Sequence, residues 1–287
     1  MPDHAEIFEM GPRDGLQNEK RLIPAARKIA LVDLLSLAGF RRIEVTSFVS
    51  PKWVPQLGDA AQVMAGIARR PGVRYAALTP NMKVYEAARE AGASEVAIFA
   101  SASEGFSRAN LNAGIAESLD RFAPVARAAR DDGIPVRGYV SVVTDCPFDG
   151  PTPPGNAARV AAALREMGCY EISLGDTIGQ GRPETIDAML SAVLDEVPAN
   201  RLAGHYHDTA GRALMNIDAS LARGLRVFDA AVGGLGGCPY APGAKGNVAT
   251  EKVARHLEAL GHATGLDMAV IDRAAAMARD MRKEADV

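Results

Sequence analysis

Cysteine is scarce in this chain: 287 residues hold three thiols, Cys146, Cys169 and Cys238, far apart and without CxxC spacing. An odd number so dispersed argues against a disulfide framework or a structural zinc site, and leaves only chemistry of single thiols. There is no uninterrupted apolar run of about 18 residues, so a membrane-spanning helix is not expected. The N-terminus, MPDHAEIFEM, lacks the basic start and apolar stretch of a secretory signal, so a cytoplasmic location is expected. Basic residues do not outnumber acidic ones; with 32 against 35 and a net charge of -3, there is no cationic face for nucleic acid. Neither membrane nor nucleic acid is an expected partner. No GxGxxG or GxxxxGK loop follows the first apolar run, which disfavours an open dinucleotide-binding sheet. No linker, low-complexity segment or internal repeat interrupts the chain.

What the chain has is alternation. Eight short apolar or β-branched runs read as strands: Ala5 to Met10, Arg42 to Thr46, Arg74 to Leu78, Glu95 to Phe99, Val136 to Val143, Tyr170 to Leu174, Leu202 to Tyr206 and Val227 to Val232. Between them lie stretches of helical period, among them Ala25 to Ala38, Asp59 to Arg69, Met82 to Ala91, Ile115 to Asp131, Asn156 to Met167, Pro183 to Val197 and Ala213 to Arg223. Glycine closes several of these helices, as at Gly39, Gly92, Gly133, Gly168 and Gly224, the usual left-handed stop. Repeated βα units imply a parallel sheet, and eight of them imply a closed (β/α)8 barrel of TIM type. One domain over residues 1–287 is expected, with a last helix at about 268–284 packed outside it.

Barrel enzymes keep their reactive groups on the loops that follow the strands. Those loops hold Arg13, Asp14 and Gln17 after the first strand and Asp176 after the sixth; Glu44 lies in the second, His205 and His207 in the seventh, and Cys238 and Asn247 after the eighth. Residues i and i+2 of a strand share a face, so His205 and His207 point together into the barrel mouth, and with Asp14 and Asn247 they form a mixed nitrogen and oxygen donor set. Such a set suits an octahedral Mg²⁺ or Mn²⁺, with zinc as runner-up. Blander readings exist for single members. Arg13 and Asp14 are adjacent opposite charges that often pair in a solvated turn, and Asp176 is a fit cap for the segment after it. Glu44 inside a strand has to face outward or find a partner. Cys238 stands in GGLGGCPYAPGAKGNVATE, where four of the first five residues are glycine; this reads as a mobile loop, while Cys146 and Cys169 read as structural. Thr46 to Gln56, TSFVSPKWVPQ, is too apolar for a plain turn and reads as a wall over the substrate.

Taken together, GPRDGLQNEK, TSFVSPKWVPQ, GCYEISLGDTIG, HYHDTAG and GLGGCPYAPGAKGNVATE resemble the 3-hydroxy-3-methylglutaryl-CoA lyases, metal-dependent TIM-barrel lyases related to isopropylmalate and homocitrate synthases. The resemblance runs from about Glu9 to Gly265. It implies that Asp14, His205, His207 and Asn247 bind a divalent cation, that Cys238 acts in proton transfer, and that Arg13 steadies the enolate oxygen of the thioester. It further implies that Glu44, Asp176 and Gln17 order the metal's surroundings and the substrate. The implied reaction is retro-Claisen cleavage to acetyl-CoA and acetoacetate, with Asp14 or His205 taking the hydroxyl proton; the implied assembly is a homodimer, and no redox cofactor is called for. Tyr206, Ala210 and Lys245 depart from the pattern of relatives. Two other readings stay open: a Claisen-type acyltransferase, expected to carry a further C-terminal region, and a silent barrel that only binds acyl-CoA. A longer C3-branched 3-hydroxyglutaryl-CoA is an alternative substrate.

Overall fold

Each expected strand has two faces to bury, one toward helices and one toward the barrel interior, and the computed structural model shows how the alternation is used. It describes residues 3–19, 21–238 and 241–283. The strands are β1 (Glu6–Glu9), β2 (Arg42–Ser47), β3 (Arg74–Leu78), β4 (Glu95–Ser101), β5 (Val136–Ser141), β6 (Glu171–Asp176), β7 (Leu202–Tyr206) and β8 (Val227–Ala230). They close into one parallel barrel in sequential order. In β2, Ile43 and Val45 pack outward beneath the helices while Arg42 and Glu44 point inward, yet every residue of the strand is buried. Period two decides the face; the closed barrel and its helical coat bury both.

The coat consists of α1 (Ala25–Leu35), α2 (Ala60–Gly66), α3 (Met82–Glu90), α4 (Glu104–Leu111), α5 (Ile115–Asp131), α6 (Pro154–Glu166), α7 (Pro183–Leu194), α8 (Ala213–Ala222), α9 (Thr250–Ala259) and α10 (Met268–Lys283). The reading from sequence did not name α4. It starts on Ser103, whose hydroxyl accepts from Phe106 N, and ends on Asn112 with φ of 50°. The last helix, α10, packs on α1, on α9 and on the turn Val232–Gly234. Gly39, expected to end a helix, has φ of 95°, and a Cβ there would lie 2.6 Å from Gly265 O. No described helix is long and apolar enough to cross a membrane.

The main apolar core lies between strands and helices; inside the barrel the apolar cluster is small, built on Phe8, Met10, Ala76, Ala97 and Tyr139. Barrel interiors are usually filled by branched aliphatics. Here charged groups take much of that space. Arg42 and Arg137 lie 4.8 and 4.5 Å from the centroid of the Phe8 ring, and both donate to Glu171, Nη1 of Arg42 at 2.8 Å and Nε of Arg137 at 2.7 Å. Arg137, Asp229 and Glu171 are all buried. Buried charges persist only when paired, and each of these is.

Candidate metal centre and active site

The chain after β1 does not continue as an open loop. Gly11–Gly15 winds into a single π-helical turn, with Leu16 N donating to Gly11 O at 3.0 Å. Such wide turns often mark functional sites. The turn carries Arg13 and Asp14 inward. Arg13 is 6% exposed and its Nε donates to Glu44, which is fully buried, while its Nη1 donates to Asp14 Oδ1 at 2.7 Å. The solvated-turn alternative for Arg13 and Asp14 is therefore replaced by a three-member cluster in which Arg13 and Glu44 are buried and Asp14 half-buried. Gln17 Nε2 donates to the same Asp14 oxygen at 2.9 Å, and Asn247 Nδ2 to the other at 2.7 Å.

His205 is the second-to-last residue of β7, and His207 follows directly after the strand's end; their ring centroids lie 5.3 Å apart. Donor atoms of Asp14, His205 and His207 all fall within 4.8 Å of one another. Asn247 joins them through a backbone bridge between its own residue and His207. That approach needs glycine at position 236: its φ is 108°, and a Cβ there would lie 2.9 Å from Asn247 Nδ2.

This donor set fits a divalent cation. His207 Nδ1 is buried and has no hydrogen-bond partner among the described residues, a costly state for an imidazole nitrogen unless a ligand takes it. Burial, and then the neighbouring His205, press the His207 pKa down to about 4, so the ring is neutral and its lone pair available. For Asp14, burial favours the acid form, but Arg13 and the two imidazoles hold the carboxyl below the usual range. Mixed imidazole and carboxylate oxygen donors suit Mg²⁺, Mn²⁺ or Zn²⁺.

Other expected groups fall differently. Glu44 does find partners, Arg13 on one oxygen and the Tyr139 hydroxyl on the other at 3.1 Å. Burial pushes its carboxyl up against the pull of Arg13. Asp176 is buried, but its carboxylate serves the turn after β6, accepting from Gln180 N at 3.1 Å and Gly181 N at 3.0 Å. It is outside the donor cluster and touches it through the backbone, His207 N approaching Asp176 O at 3.4 Å. The Asp176 carboxylate thus closes a turn and caps no helix, the next one starting at Pro183 on Arg182. The loop around Cys238 is a hairpin, Gly237–Cys238 against Ala241–Lys245; the Cys238 side chain lies outside the described residues. Cys146 and Cys169 are free and buried. Trp53 is 86% exposed. Gln56, from the same stretch, turns inward and ties the two loops together through Ile23 N and Arg21 O.

Asp229 escaped the reading from sequence. It accepts from His205 Nδ1 at 3.1 Å, from Ser173 Oγ at 2.7 Å and from both terminal nitrogens of Arg137 at 3.0 and 2.7 Å. A signal was present: an aspartate in the apolar run RVFDAAV needs a partner just as Glu44 does.

A model of the HMGL-like family matches residues 4–278. The chain belongs to the HMGL-like family. A relative from Pseudomonas aeruginosa, named 3-hydroxy-3-isohexenylglutaryl-CoA/hydroxy-methylglutaryl-CoA lyase, is 58% identical over 273 residues, which is 95% of this chain and 91% of the relative. The crystal structure of an HMG-CoA lyase from Brucella melitensis superposes with a TM-score of 0.97 at 60% identity, covering 98% of this chain and 99% of the other. An HMG-CoA lyase from Acinetobacter baumannii, in complex with coenzyme A and 3-methylmalate, has a TM-score of 0.93 at 36% identity and covers 98% of this chain and 92% of its own. As an HMGL-like protein, the chain places its barrel mouth and donor cluster within the matched span.

Proposed function

We propose that this chain is a carbon–carbon lyase that cleaves 3-hydroxy-3-methylglutaryl-CoA to acetyl-CoA and acetoacetate. The observation that carries the reading is the donor cluster of Asp14, His205 and His207 directly beside the buried guanidinium of Arg13. Asp14, His205, His207 and Asn247 would hold the cation, Mg²⁺ or Mn²⁺. When bound, the cation supplies Lewis acidity toward the substrate's tertiary hydroxyl and carboxylate oxygens.

The chain's own groups do the rest. As the C2–C3 bond breaks, the hydroxyl proton leaves and the bonding pair passes to the thioester as an enolate. Asp14 or His205 receives that proton; His205 can do so only at Nε2, since Nδ1 faces Asp229. A nitrogen that ligates cannot also take a proton, so the two duties expected of His205 exclude each other at any one moment. Arg13 offers fixed positive charge to the enolate oxygen, and Glu44 holds its Nε from below. Gln17 and Asn247 orient Asp14 from opposite oxygens. Cys238 donates its thiol proton to the enolate carbon and completes acetyl-CoA. Asp176 acts at one remove by shaping the turn beside His207. The single catalytic domain, the homodimer and the cytoplasmic location expected from the sequence belong to the same reading.

Metal-stripped protein should release no acetyl-CoA from the substrate, and Mg²⁺ or Mn²⁺ should restore release; full activity after chelation would remove the cation from the mechanism. The Pseudomonas aeruginosa relative is named for an isohexenyl substrate as well, which favours a second reading in which longer C3 branches are also cleaved. Comparing acetyl-CoA release from C3-methyl and C3-isohexenyl substrates decides between them.

A further inference from the structure

A ring of polar contacts runs around the floor of the site. Arg13 donates to Glu44; the Tyr139 hydroxyl donates to Glu44 at 3.1 Å; Arg137 Nη1 donates to that hydroxyl at 3.0 Å. Arg137 Nη2 then reaches Asp229 Oδ1 at 2.7 Å, and Asp229 Oδ2 meets His205 Nδ1 at 3.1 Å. From the other end, Arg13 Nη1 donates to Asp14. The ring opens at one place only, between His205 Nε2 and Asp14 Oδ2, which stand 4.0 Å apart. That gap is the donor pocket.

We propose that Asp229, clamped by Arg137, is the positioning residue for His205: it keeps the ring proton on Nδ1 and turns the Nε2 lone pair toward the cation pocket. This rests on the reading of that pocket as a cation site. The contact is built into the strand pairing. His205 and Asp229 are register partners on β7 and β8, so their side chains rise from the barrel wall at one level. Asp229 is 2% exposed and Arg137 is fully buried. Both terminal nitrogens of Arg137 donate to Asp229, at 3.0 and 2.7 Å, the paired contact a guanidinium makes to a carboxylate. An ionised carboxylate only accepts hydrogen bonds. Nδ1 of His205 therefore has to be the donor, which leaves the neutral ring's lone pair on Nε2. Arg137 has no slack of its own, because Nε is held by Glu171 and Nη1 also serves Tyr139. A two-pronged guanidinium contact of this kind fixes the plane of the carboxylate as well as its place, and carboxylates behind metal-binding imidazoles set ring orientation.

The test begins with the unaltered protein. Histidine-selective ¹⁵N labelling of the metal-free chain at about pH 9, above the ordinary imidazole range, reads which nitrogen carries the proton, and the signal lost in His205→Gln identifies the residue. A proton on Nδ1 is expected; a proton on Nε2 overturns the proposal without any Asp229 variant having to fold. Titration with Mn²⁺ alone then compares Asp229→Asn with Ser173→Ala, which removes a neutral contact to the same carboxylate. Asp229→Asn should weaken Mn²⁺ binding and lower kcat by about 10- to 100-fold each, with KM for the thioester little changed. Ser173→Ala should bind Mn²⁺ like the parent. Parental Mn²⁺ affinity in folded Asp229→Asn, or equal losses in both variants, refutes the assignment. A protein with the expected tautomer and Mn²⁺ pattern that releases no acetyl-CoA would instead sink the lyase reading and leave this one standing.

Discussion

Replacing Arg13 by methionine separates what that residue does for stability from what it does for the reaction. In the folded chain its guanidinium is 6% exposed and faces Glu44, which is fully buried. Arg13→Met leaves that carboxylate with the Tyr139 hydroxyl as its remaining polar contact. Breaking one side of a buried pair costs about 3–5 kcal/mol, and the loss should depend on pH. Burial already raises the Glu44 pKa in the parent, and removing Arg13 raises it further. A group whose folded pKa exceeds its unfolded one contributes stability below the unfolded pKa, near 4.3 for glutamate, and loses it as pH rises through the folded value. The deficit of Arg13→Met should therefore be smallest in acid and grow toward neutral pH. Adding Glu44→Gln removes the stranded charge, so Arg13→Met/Glu44→Gln should recover most of the stability at neutral pH. It should recover none of the activity, which falls by about 10²- to 10³-fold when a charge-stabilising donor is lost. Thermal or urea midpoints across pH, with turnover measured on the same samples, check both halves. A pH-independent deficit in Arg13→Met would refute the buried-pair argument; a double variant with parental turnover would refute the catalytic one.

Three further outcomes are expected. Cys238→Ser should depress turnover by orders of magnitude while Mn²⁺ affinity stays at the parental value; normal turnover would remove the thiol from the proton transfer. Arg282, on α10, donates to the carbonyls of Gly234 and Gly236 and to Glu19, and so joins the two loops that carry Cys238 and Asp14. Arg282→Ala should lower kcat with little change in melting midpoint, and an unchanged kcat would show that the hairpin holds itself. Asp176 has its pKa raised to about 6, chiefly by burial against the pull of the turn amides. Protonation therefore stabilises the metal-free fold, an effect present below about pH 4 and lost as pH rises through 6, so the stability of Asp176→Asn relative to the parent should improve by up to about 3 kcal/mol across that window. Parallel pH curves for the two proteins would rule this out.

Strand and helix order was legible in the sequence because it depends on local period. Alternation every second residue and every third or fourth residue is written along the chain, and the glycine at position 92 marked a helix end that the backbone confirms with φ of 75°. The eight-stranded barrel followed from counting those units, and the HxH pair could be placed on one side of its strand by spacing alone. Tertiary structure decided what lay between distant residues. That Glu44 answers Arg13, that Asp176 spends its carboxylate on a turn, and that Asp229 stands behind His205 depend on which strands become neighbours and at what register. A single carboxylate in an apolar run announces only that it needs a partner. Closure of the barrel brings Arg137, 92 residues away in the chain, across the interior to supply it, and sequence spacing holds no measure of that distance.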